Sequence, residues 1–193
     1  MIVGVLAVQG DFAEHISVLD SLGVETVEVR LPKDLVGVNA IIIPGGESTT
    51  IRRLLDLYDL SGPIISLVAA GTPVWGTCAG MIMLAKNLID SRPEPLRLMD
   101  ITVARNAFGR QVDSFEADLD FPILGEDPFH AIFIRAPAVS GIGKDVKVLG
   151  RLDENTPVAL LQNHMLVTSF HPELTADSRF HQFFLTLVES RNV

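Results

Sequence analysis

Aliphatic and small residues run unbroken from Ile2 to Val8 and give way to Gln9-Gly10-Asp11. A run of that kind predicts a strand covered on both faces rather than a half-exposed one. Asp11 with Glu14 reads as a capping box that opens a helix over about 12–22, and Gly23 ends it. Val24 to Arg30, rich in β-branched residues, and the apolar run 40–43 predict two more strands, the second broken by Pro44-Gly45-Gly46. Ser48 is placed to cap a helix over about 49–58, and Ser61 with Pro63 starts another that ends near Gly71. Residues 74–77 form a short strand. This alternation of strand and helix is the signature of a parallel sheet with helices on both faces.

The second half has a different rhythm. Strand-like runs at 101–105, 115–121, 130–135, 146–152, 158–162 and 166–170 are separated by turn residues, and 179–189 has the pattern of a closing helix. These predict antiparallel additions and a return to the main sheet. The 193 residues show no repeat, linker or low-complexity stretch, so 1–193 reads as a single domain.

Composition narrows the function. Hydrophobic residues make up 48%, enough for a real core, and aromatics only 6%, so branched aliphatics are expected to fill it. The formal net charge of −9 argues against nucleic acid as a partner, because phosphate is bound through clustered Lys and Arg. A single cysteine makes no internal disulfide, which favours the cytoplasm. The apolar N-terminus is shorter than the ~20 residues that span a bilayer and lacks a basic leader region, so neither a membrane nor secretion is expected.

That cysteine, Cys78, stands in Gly76-Thr77-Cys78-Ala79-Gly80, between apolar runs. This is the pattern of a sharp strand-to-helix turn carrying a nucleophile, with cysteine in place of serine. The start of the following helix favours thiolate over thiol. A cysteine nucleophile needs a base, and the base needs an orienter. Of five histidines, only His171 has a tight chemical setting, Ser169-Phe170-His171-Pro172-Glu173, directly after a predicted buried strand. Sites in parallel sheets form beyond the carboxyl ends of strands, where Cys78 and His171 would both lie. Cys78, His171 and Glu173 therefore read as a catalytic triad. Gly45-Gly46 lets backbone N–H groups approach a ligand, and the amides of Gly46 and Ala79 are the expected oxyanion donors.

These residues resemble class I (triad) glutamine amidotransferases. Four further segments narrow the resemblance: Ala7-Val8-Gln9-Gly10-Asp11-Phe12-Ala13-Glu14-His15, Pro44-Gly45-Gly46-Glu47-Ser48-Thr49-Thr50, Arg105-Asn106-Ala107-Phe108-Gly109-Arg110-Gln111 and Phe133-Ile134-Arg135-Ala136-Pro137. They are similar to the branch that forms the glutaminase subunit of pyridoxal 5′-phosphate synthase. Gln162-Asn163-His164-Met165 departs from that pattern, where a glycine is common. The resemblance implies a flavodoxin-like three-layer α/β sandwich, with a mostly parallel central sheet and a few antiparallel additions. It implies hydrolysis of L-glutamine and delivery of ammonia to a separate synthase subunit within a large hetero-oligomer, with no metal and no bound cofactor. It also implies that Gly46, Glu47, Ser48, Arg105, Ile134 and Arg135 line the glutamine pocket. Arg105 or Arg135 would hold the α-carboxylate. Asp11 and Glu14 are expected as capping groups, with His15 toward the partner or solvent. The freedom of Gly45 and Gly46 in φ would let a peptide flip complete the oxyanion hole on docking. The rival readings are a glutaminase of the histidine, anthranilate or nucleotide branch, a cysteine hydrolase or stress protein of the same fold, and a scaffold that has lost catalysis.

Overall fold

The computed structural model describes residues 1–105 and 114–190. Seven strands form the central sheet in the order β10-β11-β12-β4-β3-β1-β2. They are β1 (Ile2–Leu6), β2 (Glu25–Val29), β3 (Ala40–Ile43), β4 (Val74–Thr77), β10 (Lys147–Asp153), β11 (Thr156–Gln162) and β12 (Met165–Thr168). From β2 to β12 the pairings are parallel, and β11 and β10 add antiparallel edges. The helices are α1 (Phe12–Ser21), α2 (Ser48–Leu57), α3 (Ser61–Ala69), α4 (Ala79–Leu84) and α5 (Arg179–Ser190). A three-stranded sheet joins β5 (Ala85–Leu88), β6 (Met99–Ala104) and β9 (Ala138–Ile142), and a hairpin pairs β7 (Ser114–Leu119) with β8 (Phe129–Ile134). The expected α/β sandwich is the fold observed. The sequence pattern did not separate β5 or β9 from their surroundings.

Alternate residues of the inner strands feed two different cores, as the period of two requires. Ile41, Ile43, Val74, Met165 and Val167 meet the aliphatic faces of α2, α3 and α4. Ala40, Ile42, Trp75 and Leu166 turn to the opposite face, with Leu19 of α1 and Phe180 and Phe184 of α5. The expectation of an aliphatic interior holds only on the first face. Trp75, Phe121, Phe129, Phe133, Phe170, Phe180 and Phe184 are all fully buried, so the scarce aromatics are concentrated on the second. Several of these rings pack edge to face, among them Phe121 on Phe180 and Phe129 on Phe180, both at 4.9 Å between centroids.

Two cap assignments change. Asp11 precedes α1 but makes no side-chain cap bond. Helix α2 is capped by Glu47, whose carboxylate accepts from the amides of Thr49 and Thr50 at 3.2 and 2.7 Å, so Ser48 is already the first helical residue. A longer side chain one position earlier reaches the same orphan amides. In the β11–β12 turn Asn163 takes φ +54°, the left-handed conformation that a glycine adopts most easily, and asparagine is the next most tolerant residue. That accounts for the departure at 162–165.

Candidate active site

The parallel order β12-β4-β3-β1 brings four strand ends side by side. Thr168 lies opposite Thr77, and Ile43 opposite Gly76, so the segments that follow these strands share one crevice. Cys78 leaves β4 at φ +47° and ψ −102°, a strained conformation for a side chain with a Cβ. Its amide donates to the carbonyl of Thr168 at 2.8 Å, which pins the corner to β12. The corner closes because Gly80 is bare: a Cβ there would lie 2.0 Å from the Ile43 carbonyl oxygen. Helix α4 then runs only six residues before β5, so its dipole is smaller than a full-length helix would supply.

His171 follows β12 and opens a short 3-10 turn, Pro172–Leu174. Its amide donates to the Ile132 carbonyl at 2.8 Å, anchoring the loop to β8. The imidazole is nearly buried and lines the same pocket as Cys78. Its Nδ1 lies 2.8 Å from Glu173 Oε1 and 3.3 Å from Asp11 Oδ2. Burial alone would lower the imidazole pKa. The hydrogen bonds to Asp11, Cys78 and Glu173 outweigh it, and His171 is pushed up to about 12. The ring is thus a cation at neutral pH in this environment, and it holds its proton until the charges around it change. Burial raises the Glu173 carboxyl above the usual range, and its hydrogen bond to His171 opposes the rise. The hydrogen bond to His171 lowers Asp11.

A pocket of about 280 Å³ opens over the sulfur. Gly46, Glu47, Ser48, Ala79, Arg105, Ile134 and Arg135 line it, together with Cys78 and His171. The carbonyl of Ile134 sits 3.8 Å from the sulfur. Hydrogen bonds from Thr49 and Thr50 override partial burial and hold the Glu47 carboxyl at about 2. Arg105 Nη2 lies 3.5 Å from Glu47, and Arg105 Nη1 donates to the Arg92 carbonyl at 3.0 Å. Arg135 is exposed and takes φ +44°. Among the described residues it makes no ion pair. Both arginines border the pocket, and among the described residues only Arg105 is tethered. The segment 106–111 of the resemblance lies outside the described residues.

Three residues at the site escaped the sequence reading. Gln9 lines the pocket and accepts from the Glu47 amide through Oε1 at 2.8 Å. Asp11 lines it too and faces His171 instead of capping α1. His15, expected at a partner face or in solvent, is fully buried behind Glu173. The available signal was position: Gln9 and Asp11 follow the carboxyl end of β1, where a parallel sheet builds its sites.

Behind His171 and Glu173, burial lowers His15 well below the ordinary histidine value and His181 to about 4, so both rings are neutral. The unfolded chain binds protons near pH 6.5 that the folded chain refuses. Unfolding therefore takes up protons, and stability is full above pH 6.5 and declines as pH falls toward 4. His181 alone accounts for roughly 3 kcal/mol. Glu173 opposes this over part of the window, but two histidines outweigh one carboxyl. His171, raised to about 12, opposes this trend above pH 6 and is protonated in both states below it, so urea unfolding midpoints are expected to drop from pH 6 to 4.5, and a flat profile there would contradict neutral burial of the two rings.

A corner-mounted thiol, an imidazole cation and two carboxylates at one crevice are what acyl transfer from an amide needs. The chain matches the SNO glutamine amidotransferase family over residues 5–190 and belongs to it. More narrowly, it is 58% identical to the pyridoxal 5′-phosphate synthase subunit PdxT of Herpetosiphon aurantiacus, across 97% of this chain and 100% of that one. It is 52% identical to the PdxT of a Roseiflexus species, with the same coverage. A solved glutamine amidotransferase superposes with a TM-score of 0.91 at 47% identity, across 98% of this chain and 100% of that one. A Thermoplasma acidophilum protein described as a putative GMP synthase subunit gives 0.70 at 17% identity, which shows the shared fold alone.

Proposed function

We propose that this chain hydrolyses L-glutamine to L-glutamate and ammonia, as the glutaminase subunit of pyridoxal 5′-phosphate synthase. The observation that carries the reading is the single pocket that Cys78 and His171 both line, with the imidazole Nδ1 2.8 Å from Glu173. The Cys78 sulfur attacks the side-chain carboxamide carbon, and the amides of Gly46 and Ala79 receive the oxyanion. His171 gives its proton to the nitrogen as the C–N bond breaks, and ammonia leaves. His171 then takes a proton from water, which adds to the thioester carbon, and glutamate leaves as the thiolate returns. Glu173 fixes the imidazole's orientation throughout. Gly46, Glu47, Ser48 and Ile134 shape the pocket, and the guanidiniums of Arg105 and Arg135 offer the α-carboxylate a bidentate partner.

Residues 1–193 act as one glutaminase domain, and the partner is the synthase subunit that consumes the ammonia. Among the described residues no helix is long and apolar enough to cross a membrane. With a single thiol that must stay reduced, a cytoplasmic setting fits. The Gly45 carbonyl accepts from the Asp11 amide at 3.1 Å. Breaking that bond is the step by which docking would turn the Gly45–Gly46 peptide. Ammonia release from glutamine, measured with and without the synthase subunit, tests the reading. Turnover is expected to rise at least about tenfold in the complex. Equal rates would defeat the gating, and no ammonia in either case would defeat the function.

A further inference from the structure

Glu173 offers two carboxylate oxygens, and catalysis as proposed uses one. The other, Oε2, is buried and meets no hydrogen-bond donor within ordinary range among the described residues. His15 Nε2 lies 3.4 Å from it, and both side chains are fully shielded from water. His15 Nδ1 lies 2.9 Å from His181 Nε2. The pair sits against Trp75, whose ring packs edge-on to both imidazoles at 5.5 and 4.9 Å between centroids. Helices α1 and α5 and strand β4 thus converge on one oxygen.

Hydrogen-bond arithmetic settles which ring nitrogens carry protons. A carboxylate only accepts, so a productive contact requires a proton on His15 Nε2. That leaves His15 Nδ1 bare, so it accepts from a proton on His181 Nε2. The remaining His181 Nδ1 is then an unpaired acceptor, in agreement with its lack of a partner among the described residues. In the opposite arrangement the hydroxyl of Thr77, 3.2 Å from His15 Nε2, would donate to it. His15 would then turn a lone pair toward the Glu173 oxygen, and His181 would bury an unpaired N–H. The first arrangement leaves the smaller penalty.

The geometry points to His15 as a positioning residue: its Nε2–H, hydrogen-bonded to Thr77 Oγ1 at 3.2 Å, is also 3.4 Å from the otherwise unpartnered second oxygen of Glu173 and steadies that carboxylate in line with His171, and His181 fixes the His15 tautomer. The inference rests on the Cys78–His171–Glu173 reading given above. The titratable groups that face Glu173 are His171 on its own loop, Asp11 ahead of α1 and His15 within it. His15 is the one of these that reaches Oε2. Without it, the carboxylate is free to rotate toward Asp11 repulsion or to take up a proton, and either weakens its hold on the imidazole.

The test is glutamine turnover by variants of the chain assembled with the synthase subunit. His15→Leu is expected to lower kcat about tenfold with KM changed less than twofold. His15→Gln, whose amide nitrogen can stand where Nε2 stood, is expected to recover to within about threefold of the parent. In a Glu173→Gln background the leucine change should cost less than twofold, because the group it positions has gone. A parental rate in His15→Leu, or an undiminished tenfold loss in the Glu173→Gln background, would overturn the proposal. Nitrogen-15 NMR of the parent imidazoles decides it without any turnover: His15 and His181 are both expected as Nε2–H tautomers. A proton on His15 Nδ1 would overturn the assignment even if the glutaminase reading stands. Cys78-independent ammonia release would sink that reading and leave the tautomer result intact.

Discussion

Cys78→Ala is expected to reduce glutamine turnover by at least about a thousandfold in the complex, while glutamine still binds. The pocket walls that would hold the amino acid come from Glu47, Arg105, Ile134 and Arg135, none of which depends on the sulfur. Little of the fold depends on it either. The corner is held by the Cys78 amide on Thr168 and by the close approach of Gly80 to Ile43, and an alanine keeps both. Loss of the sulfur removes the covalent intermediate. Glu173→Ala should be milder, because Asp11 still lies 3.3 Å from the same ring nitrogen and can orient it in part. Isothermal titration with glutamine separates the cases. Retained binding with no ammonia identifies a missing nucleophile. Turnover within tenfold of the parent would mean that another group attacks the amide.

The legible part of this molecule was whatever has a local cause. β3 and β4 were readable to the residue, because an apolar run bounded by Pro-Gly-Gly or by the cysteine corner has sharp ends. Cys78 and His171 could be brought together in advance because each sits just past such a run, and sheet topology does the rest. What stayed hidden depended on distance in the chain. Asp11 looked like a cap because Asp followed by Glu three positions later is a capping signature, and only the approach of β12 gives its carboxylate a better partner in His171. His15 lies four residues on, and in a helix that is one turn, so it shares the face that Asp11 turns to the site. Polar residues on a helix are normally solvated, and no local rule separates one that is buried against Glu173. The aromatic cluster was invisible for a similar reason. Composition counts phenylalanines without saying that β8, the β12 end and α5 deliver them to one face of the sheet.

One added methyl should test the site's geometry most severely. Gly45 has an ordinary φ, so its need for glycine comes from space. A Cβ there would lie 2.3 Å from His171 Cε1, 2.8 Å from its Nδ1 and 3.0 Å from Asp11 Oδ2. The nearest of these is far inside van der Waals contact, and something must move by about 1 Å. The Gly45 backbone is tied through its carbonyl to the Asp11 amide, and the loop beyond it is tied through Glu47 to Gln9. The imidazole cannot retreat without lengthening its 2.8 Å bond to Glu173, and its backbone is tied to the Ile132 carbonyl. Gly45→Ala is therefore expected to lower kcat at least about a hundredfold, since displacements near 1 Å cost that much in aligned reactions. Stability should fall by only about 1–3 kcal/mol, the usual cost of overpacking. Gly62→Ala in α3 is the matched control, because a methyl there meets open space and should leave turnover unchanged. The informative measurement is kcat beside the unfolding midpoint. If Gly45→Ala keeps kcat within fivefold of the parent, His171 has room to spare on the Gly45 side, and the imidazole does not need the tight registry between Glu173 and the sulfur that the mechanism requires.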